Sequence, residues 1–287
     1  MKILKTVTAI QRHLNSHRRM KKTIGFVPTM GALHAGHLSL LRKSVNENDI
    51  TVISIFVNPT QFNEKADLIK YPRDLQKDAL LLKSVKVDYI FAPSVSQIYP
   101  IKENHNVDLD ISHLTKNMEG PNRPGHFEGV VQVVHRLLEI LEPDHIYMGQ
   151  KDFQQFSIIR YMLKSFKMKT KLKVCSTMRE EDGLAMSSRN VRLTPETRTQ
   201  AHIIYDNLIF AKNNLSRYNI RNLENKVLEK LKVKNFVPEY FNIVDGYTLE
   251  EIKDISKHKL IVAGTAVWAN DVRLIDNMIL RGEKLIQ

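Results

Sequence analysis

The chain has 287 residues, of which 43% are hydrophobic, so it can bury the core of two ordinary domains or of one large domain. Its single cysteine, Cys175, excludes an internal disulfide framework. No apolar run approaches the roughly 18 residues that a membrane-spanning helix requires, and the N-terminus lacks the long apolar segment of a signal peptide. We therefore predict a cytoplasmic protein without a membrane partner.

The net charge is +12, and most of the excess lies before residue 178. Basic residues cluster in segments 18–22 and 164–173. Nucleic-acid binding is one interpretation of such clusters. They lack, however, the regularly interleaved aromatic side chains on which single-strand binders stack bases. A solvated face that attracts small anionic substrates is the favoured interpretation, and we predict no nucleic-acid partner.

A buried strand, a glycine turn and a helix start are predicted in segment 22–45. The strand is the apolar run that ends at Pro28, two glycines follow it, and leucines at helical spacing place the helix start near His37. The free N–H groups and the dipole of a helix N-terminus attract anions. His34 and His37 lie next to this helix N-terminus, so the segment is predicted to bind an anion.

Two other interpretations of this turn are weaker. The spacing of Gly31 and Gly36 matches a phosphate-binding P-loop, but such a loop continues with Lys and then Ser or Thr, where this chain has His37 and Leu38. The histidine pair could instead bind a metal ion. Zinc needs at least a third protein ligand, and no cysteine lies close by in the sequence.

Strands continue to alternate with helices as far as residue 177. Apolar, β-branched runs at 50–57, 87–93, 144–149 and 172–177 each read as a strand. This alternation predicts an α/β fold, with a doubly wound, Rossmann-like parallel sheet in residues 1–177.

The remaining residues, 178–287, are predicted to form a smaller C-terminal α+β cap domain. It begins after a polar turn at 179–183, and Thr194 and Pro195 start a helix. Two β-rich runs are joined by Asn270 and Asp271, a two-residue hairpin turn.

Several polar residues follow predicted strands, where ligands of open α/β sheets bind. Asn58 and Gln61 offer amides to a substrate hydroxyl or carboxylate, although a plain turn also explains them. Lys151 brings a mobile cation to phosphates, and Asp152 can accept hydrogen bonds from ribose hydroxyls. Further on, the hydroxyls and guanidinium of segment 187–189 suit a triphosphate, with an ordinary serine-rich loop as the alternative.

Five segments in order resemble the pantothenate synthetase (pantoate–β-alanine ligase) family, and the resemblance covers nearly the whole chain. The first is Pro28-Thr29-Met30-Gly31-Ala32-Leu33-His34-Ala35-Gly36-His37, whose H-x-G-H core is similar to that of the wider nucleotidyltransferase superfamily. The others are segments 58–62, 123–127, 149–155 and 186–190. The chain departs from the family's usual pattern at Thr60, Gln132 and Gln150.

This resemblance implies an ATP-dependent ligase that joins pantoate to β-alanine through a pantoyl-adenylate intermediate and releases AMP and pyrophosphate. It also implies a homodimer and a requirement for Mg²⁺, with Asp78 as the residue associated with the metal.

The resemblance assigns site residues as well. The catalytic residues would be His34, His37 and Lys151. ATP would be bound by Pro28, Thr29, Met30, His34, Gly36, His37, Gly149, Gln150, Lys151, Asp152, Met178, Met186, Ser187, Ser188 and Arg189. Pantoate would be bound by Met30, Gln61, Phe62, Val130, Val133, Val134 and Gln155, with the two glutamines orienting it.

Two alternative functions remain at this level. The nearer is another nucleotidyltransferase of the same superfamily, which would act on a phosphorylated small molecule. The more distant is a non-catalytic RNA-binding protein, for which steeply salt-dependent affinity is expected.

Overall fold

The computed structural model describes residues 1–62, 68–69, 71, 73–101 and 103–282. A six-stranded, all-parallel sheet occupies the first part of the chain, in the order β1-β4-β3-β2-β5-β6. Its strands are β1 (Lys2–Leu4), β2 (Ile24–Thr29), β3 (Ile50–Ile55), β4 (Tyr89–Phe91), β5 (His145–Gly149) and β6 (Lys171–Cys175). The chain runs outward from β2 to β4 and then crosses back to β5, so the topological switch point lies between β2 and β5.

Helices cover both faces of this sheet. They are α1 (Val7–Arg19), α2 (Ala35–Glu47), α3 (Leu75–Leu82), α4 (Val95–Ile98), α5 (Glu119–Asn122), α6 (His126–Leu141) and α7 (Phe153–Ser165). Successive strand residues point to opposite faces. Phe26 accordingly packs in one core with α1, α6 and α7, whereas Val27 packs in another with α2 and α3. Two buried faces explain why the strands read as continuous apolar runs.

The C-terminal part combines three helices with an antiparallel sheet of order β7-β8-β9. Its elements are α8 (Pro195–Gln200), α9 (Ile203–Asn214), α10 (Ile220–Leu231), β7 (Phe236–Asp245), β8 (Ile261–Ala269) and β9 (Val272–Arg281). Ile261 and Ala263 of β8 pack in the core that these helices share, while Val262 between them belongs to the large core of the first part. The C-terminal sheet is thus joined to the nucleotide-fold half by apolar packing.

The predicted fold class is confirmed, with small differences in detail. The sequence did not show β1, whose three residues are too few for a periodic pattern. Ser94 precedes α4, but its side chain makes no capping hydrogen bond. The division at residue 177 stays a prediction. No helix of the described residues is long and apolar enough to cross a membrane.

Candidate active site

A cavity of about 250 Å³ opens at the carboxyl ends of β2 and β5, and a smaller cavity of about 30 Å³ shares some of its lining residues. All the residues predicted to bind ATP or pantoate line the larger cavity except Gln150, and Asp78 does not line it either. The sequence assigned no role to several further lining residues, which include Phe56, Tyr71, Arg123, His126, Ser176, Thr177 and Ile275.

The histidine pair lies at the start of α2. His34 is the residue before the helix, and its Nδ1 accepts a hydrogen bond from the N–H of Gly36 at 3.1 Å. The N–H of His34 in turn donates to Nδ1 of His37 at 3.3 Å. A neutral imidazole carries one proton, so two accepting Nδ1 atoms place both protons on Nε2. The cavity is therefore lined by two rings that each have an N–H to donate.

Both histidines are neutral at physiological pH. Burial, reinforced by the charge of Lys151, lowers the pKa of His34 to about 4. Burial, with His34 and Lys151 beside it, lowers the pKa of His37 to about 3. The pair consequently supplies hydrogen-bond donors at this site, and Arg123, Lys151 and Arg189 supply the positive charge. The described residues contain no group of three His, Cys, Asp or Glu side chains placed to hold a metal ion.

Asp78 orders the turn that precedes the histidines. Its side chain is buried, and its carboxylate accepts the N–H of Ala32 at 3.1 Å and of Leu33 at 2.8 Å. The turn needs such support because Ala32 has a positive φ of 52°, which residues other than glycine rarely adopt. Asp78 thus ties α3 to the turn and sets the approach of His34. Its contact with magnesium stays a prediction.

Lys151 and Asp152 follow β5 directly, in a short 3₁₀ helix at Gln150–Asp152. The Lys151 ammonium lies 4.0 Å from the Asp152 carboxylate, and both side chains line the cavity. Nδ2 of Asn277 in β9 donates to the carbonyl oxygens of Gln150 and Lys151, at 3.0 and 2.7 Å. The C-terminal sheet therefore holds this turn through its backbone. Since the Gln150 side chain does not line the cavity, its contact with ATP stays a prediction.

The loop at 178–189 crosses the cavity from the C-terminal part. Arg179 anchors it with two hydrogen bonds to the buried carboxylate of Asp276, at 2.6 and 3.0 Å. A backbone hydrogen bond from Met186 to Met178 closes the loop on itself. Its cavity-lining residues are Met178, Met186, Ser187, Ser188 and Arg189.

The structure corrects the expectation for Asn58, which is 1% exposed and does not line the cavity. Its Nδ2 donates to the carbonyl of Gly129 at 3.0 Å, and its Oδ1 accepts from the Tyr99 hydroxyl at 3.0 Å. The first bond joins the segment after β3 to α6, and the second joins it to Tyr99, the residue after α4. The glycine allows this approach, because a Cβ there would lie 2.5 Å from the carbonyl oxygen of Thr60.

Gln61, by contrast, keeps its amide at the cavity. Its Nε2 lies 3.0 Å from the sulfur of Met30, and a thioether is a weak acceptor that a substrate oxygen can displace at little cost. Gln155 of α7 lines the same cavity. The apolar wall of this region consists of Phe62, Val130, Val133 and Val134.

Arg123 lies in the short loop between α5 and α6, and His126 is the first residue of α6. Nδ1 of His126 lies 2.8 Å from the carbonyl oxygen of Gln61, which can only accept, so this ring carries its proton on Nδ1. Burial, with the charge of Arg123 nearby, lowers the pKa of His126 to about 4. His126 is therefore neutral with an accepting Nε2, the opposite of His34 and His37. Only tertiary contacts could reveal this difference.

The cavity at the switch point of the parallel sheet has two parts. One part contains a helix N-terminus, two donor histidines and cationic side chains, and the other is an apolar region with two glutamine amides. This combination defines an α/β enzyme that places an anionic nucleotide beside a small polar substrate. The family model described as pantoate–β-alanine ligase matches residues 2–279. The chain therefore belongs to the pantoate–β-alanine ligase family, and its activity is the ATP-dependent condensation of pantoate with β-alanine.

Individual relatives are similar in sequence to this chain over nearly its full length. The chain is 46% identical to a pantothenate synthetase of Azobacteroides pseudotrichonymphae, over 97% of this chain and 99% of that protein. It is 45% identical to a pantothenate synthetase of Thermotoga petrophila, over 98% and 100%. Family membership takes precedence over the two alternative functions considered above.

Two crystal structures extend the likeness to the fold. The pantothenate synthetase of Thermus thermophilus superimposes with a TM-score of 0.90 at 37% identity, covering 98% of this chain and 100% of that chain. The pantoate–β-alanine ligase of Francisella tularensis, complexed with β-γ ATP and β-alanine, gives a TM-score of 0.79 at 36% identity and covers 98% of each chain.

Proposed function

We propose that the cavity performs the condensation in two steps, through pantoyl adenylate. In the first step a carboxylate oxygen of pantoate bonds to the α-phosphorus of ATP as the bond to pyrophosphate breaks. In the second step the amine of β-alanine bonds to the acyl carbon as the C–O bond to AMP breaks. The incoming ammonium group gives up two protons to water in forming the amide. No covalent bond to the enzyme is needed.

The observation that carries this proposal is the pair of neutral N–H donors that line the same cavity as the cations Lys151 and Arg189. Nε2 of His34 and of His37 donates to the phosphates, backed by the N-terminus of α2. Lys151 and Arg189 balance the charge that develops on the α-phosphoryl group and on pyrophosphate. The remaining proposed ATP contacts are Pro28, Thr29, Met30, Gly36, Gly149, Gln150, Asp152, Met178, Met186, Ser187 and Ser188.

Pantoate lies in the apolar part of the cavity in this proposal. Gln61 and Gln155 hydrogen-bond its hydroxyl groups and carboxylate, and the valines of α6 contact its methyl groups. Amides suit this task because they recognise polar groups without adding charge beside the phosphates.

Magnesium would accompany the triphosphate. Mg²⁺ usually retains several waters and binds phosphates together with one or two carboxylates. Among the described residues that line the cavity, Asp152 is the one carboxylate, and its side chain is 47% exposed. The metal would neutralise the leaving pyrophosphate. We also propose a cytoplasmic homodimer, which light scattering would reveal as twice the 33.2 kDa mass of the chain.

Pantoate-dependent exchange of labelled pyrophosphate into ATP tests the two-step reaction. Exchange without β-alanine is expected, because the first step is reversible and complete in itself. An enzyme that makes pantothenate at a normal rate but shows no exchange would contradict the adenylate intermediate.

A further inference from the structure

We propose that Tyr147 is a positioning residue whose hydroxyl group ties the end of α2 to β5. Through this tie it fixes where the N–H donor of His37 lies relative to the ammonium of Lys151. This inference rests on the proposed function, which assigns both groups to the phosphates of ATP. The Tyr147 hydroxyl itself takes no part in either reaction step.

The two groups lie on the elements that the hydroxyl connects. His37 is in the first turn of α2, and Lys151 follows β5 in the short 3₁₀ helix at Gln150–Asp152. Burial, with the charges of His34 and Lys151, lowers the pKa of His37 to about 3, so the ammonium is close enough to act on the ring. The placement of α2 against β5 therefore sets the separation of donor and cation.

Three hydrogen bonds join the last residues of α2 to β5. Nδ2 of Asn48, the residue after the helix, donates to the Tyr147 hydroxyl at 2.7 Å. That hydroxyl donates in turn to Oε2 of Glu47 at 2.8 Å. His145 lies two residues earlier, on the same face of the sheet. Its Nδ1 is 2.7 Å from Oδ1 of Asn48, which can only accept.

The Tyr147 hydroxyl is held in one direction inside the core. The residue is fully buried, and its ring lines the cavity. Burial, reinforced by the hydrogen bond with Glu47, raises the pKa of the hydroxyl well above its ordinary value, so the group keeps its proton. Apolar contacts are non-directional. The hydroxyl, with one donor and one acceptor partner, therefore supplies the direction that apolar packing of α2 lacks.

The same end of α2 lies directly on the neighbouring strands. A Cβ at Gly25 of β2 would lie 2.2 Å from Oγ of Ser44 and 2.5 Å from Nδ2 of Asn48, so the close approach requires glycine. Ser44 is fully buried, and its hydroxyl oxygen lies 2.9 Å from that of Thr51 in β3. The last turn of α2 is thus fixed against β2, β3 and β5 together.

Helix α2 transmits this placement to the cavity. It has 13 residues, so it is about 20 Å long at roughly 1.5 Å per residue. A helix of this length tilts as a unit, and a shift at Asn48 displaces the ring of His37 near the other end. Misplacement of a reacting group by about 1 Å can cost roughly a hundredfold in rate. The contacts at one end of α2 therefore set the geometry of the donor at the other.

The variant Tyr147→Phe tests this role, because it removes the hydroxyl and keeps the ring in the cavity wall. The kcat for pantothenate formation should fall at least ~10-fold, while the KM for pantoate stays within about twofold of wild type. Tyr89→Phe is the matched control. Tyr89 is also a buried strand tyrosine, its hydroxyl lies 2.8 Å from Nε2 of His17, and it does not line the cavity. This control should keep the wild-type kcat.

Double variants distinguish positioning from a general loss of structure. In the His37→Asn background the donor is already missing, so adding Tyr147→Phe should lower kcat by less than about twofold further. In the Ser188→Ala background the full effect should persist, because Ser188 lies on the loop at 178–189 and not on α2 or β5. A general loss of folded protein would lower kcat by the same factor in both backgrounds.

Two results would overturn the positioning role. One is a wild-type kcat in Tyr147→Phe. The other is an equal further loss in the His37→Asn and Ser188→Ala backgrounds. Near-normal turnover of His37→Asn alone would overturn the donor assignment together with its positioning. Absence of pyrophosphate exchange in the wild type would contradict the adenylate intermediate alone, because the kcat comparisons use pantothenate formation and would still decide the role of Tyr147.

Discussion

At the scale of single residues, the tautomers of three histidines distinguish their roles. The N–H groups of Gly36 and His34 occupy the Nδ1 atoms of His34 and His37, and a carbonyl occupies Nδ1 of His126. Two rings therefore donate into the cavity and one accepts from it. Each role follows from the backbone group that the other ring nitrogen meets.

Replacement of His37 should separate its two functions. His37→Asn keeps an acceptor for the N–H of His34 but loses the donor at Nε2, so kcat should fall at least ~100-fold, as expected for one lost donor to developing charge. Lys151→Ala should lose a similar factor. Thermal unfolding should change little in either variant. Near-normal turnover in steady-state assays would refute these assignments.

Asp78→Asn tests how the turn before His34 is held. One oxygen becomes an NH₂ group that faces backbone N–H donors, so the free energy of unfolding should fall by about 2 kcal/mol, with a lower kcat. Denaturant titration and an Mg²⁺ titration of activity should be run together. A raised Mg²⁺ requirement at unchanged stability would show instead that Asp78 acts through the metal.

At the scale of elements, the cavity is built from strand ends and from loops that the C-terminal sheet holds in place. Asn277 fixes the turn after β5, and Asp276 fixes the loop at 178–189 through Arg179. Both anchors are neighbours on β9. One strand of the second sheet therefore positions the two segments that supply the cations Lys151 and Arg189.

Breaking the Arg179–Asp276 pair should loosen the loop over the nucleotide. Asp276→Asn removes a buried charge from its partner, so we expect a loss of about 3 kcal/mol in stability and a tenfold or greater rise in the KM for ATP. The KM for pantoate should change little. Asp182→Asn is the matched control, because Asp182 lies on the same loop but its pair with Arg198 of α8 is about one-third exposed and should contribute under about 1 kcal/mol.

At the scale of the whole molecule, buried histidines make stability depend on pH. The pKa values of His34, His37 and His126 are lowered to about 4, 3 and 4, and in the unfolded chain each is about 6.5. As the pH falls from 6.5 towards 4, the unfolded state binds more protons. Each histidine then removes up to about 1.4 kcal/mol of stability per pH unit.

Glu224 acts in the opposite direction. Burial, reinforced by Glu251, raises its pKa to about 7, so the folded state binds its proton first and gains stability as the pH falls. The three histidines and Glu224 together should make the unfolded state bind about two more protons than the folded state as the pH falls, and stability should decrease accordingly. Urea unfolding at pH 7, 6 and 5 measures how the free energy of unfolding depends on pH. His126→Asn should make this dependence less steep. A slope that is already flat in the wild type would contradict the prediction.

The sequence by itself determined the parallel sheet apart from its edge strand β1, most of the other elements, and the segments that form the cavity. Local signals were enough for this, because β-branched runs, glycine turns and caps act over a few residues. His34, Gln61 and Lys151 all follow predicted strands, and parallel strands bring their carboxyl ends to one edge. The motif resemblance added the substrates, which no periodicity encodes.

Only the tertiary structure decided what individual side chains do at that edge. Asn58 and Gln61 both follow β3 and both carry an amide. The amide of Asn58 is hydrogen-bonded to Gly129 and Tyr99, whereas Gln61 lines the cavity. Arg123 also lines the cavity, and it shares its carboxylate partner Glu119 with Arg273, which lies 154 residues beyond Glu119 in the chain. Hydrogen-bond partners and burial are set by elements distant in sequence, and these fix the protonation and availability on which the chemistry depends.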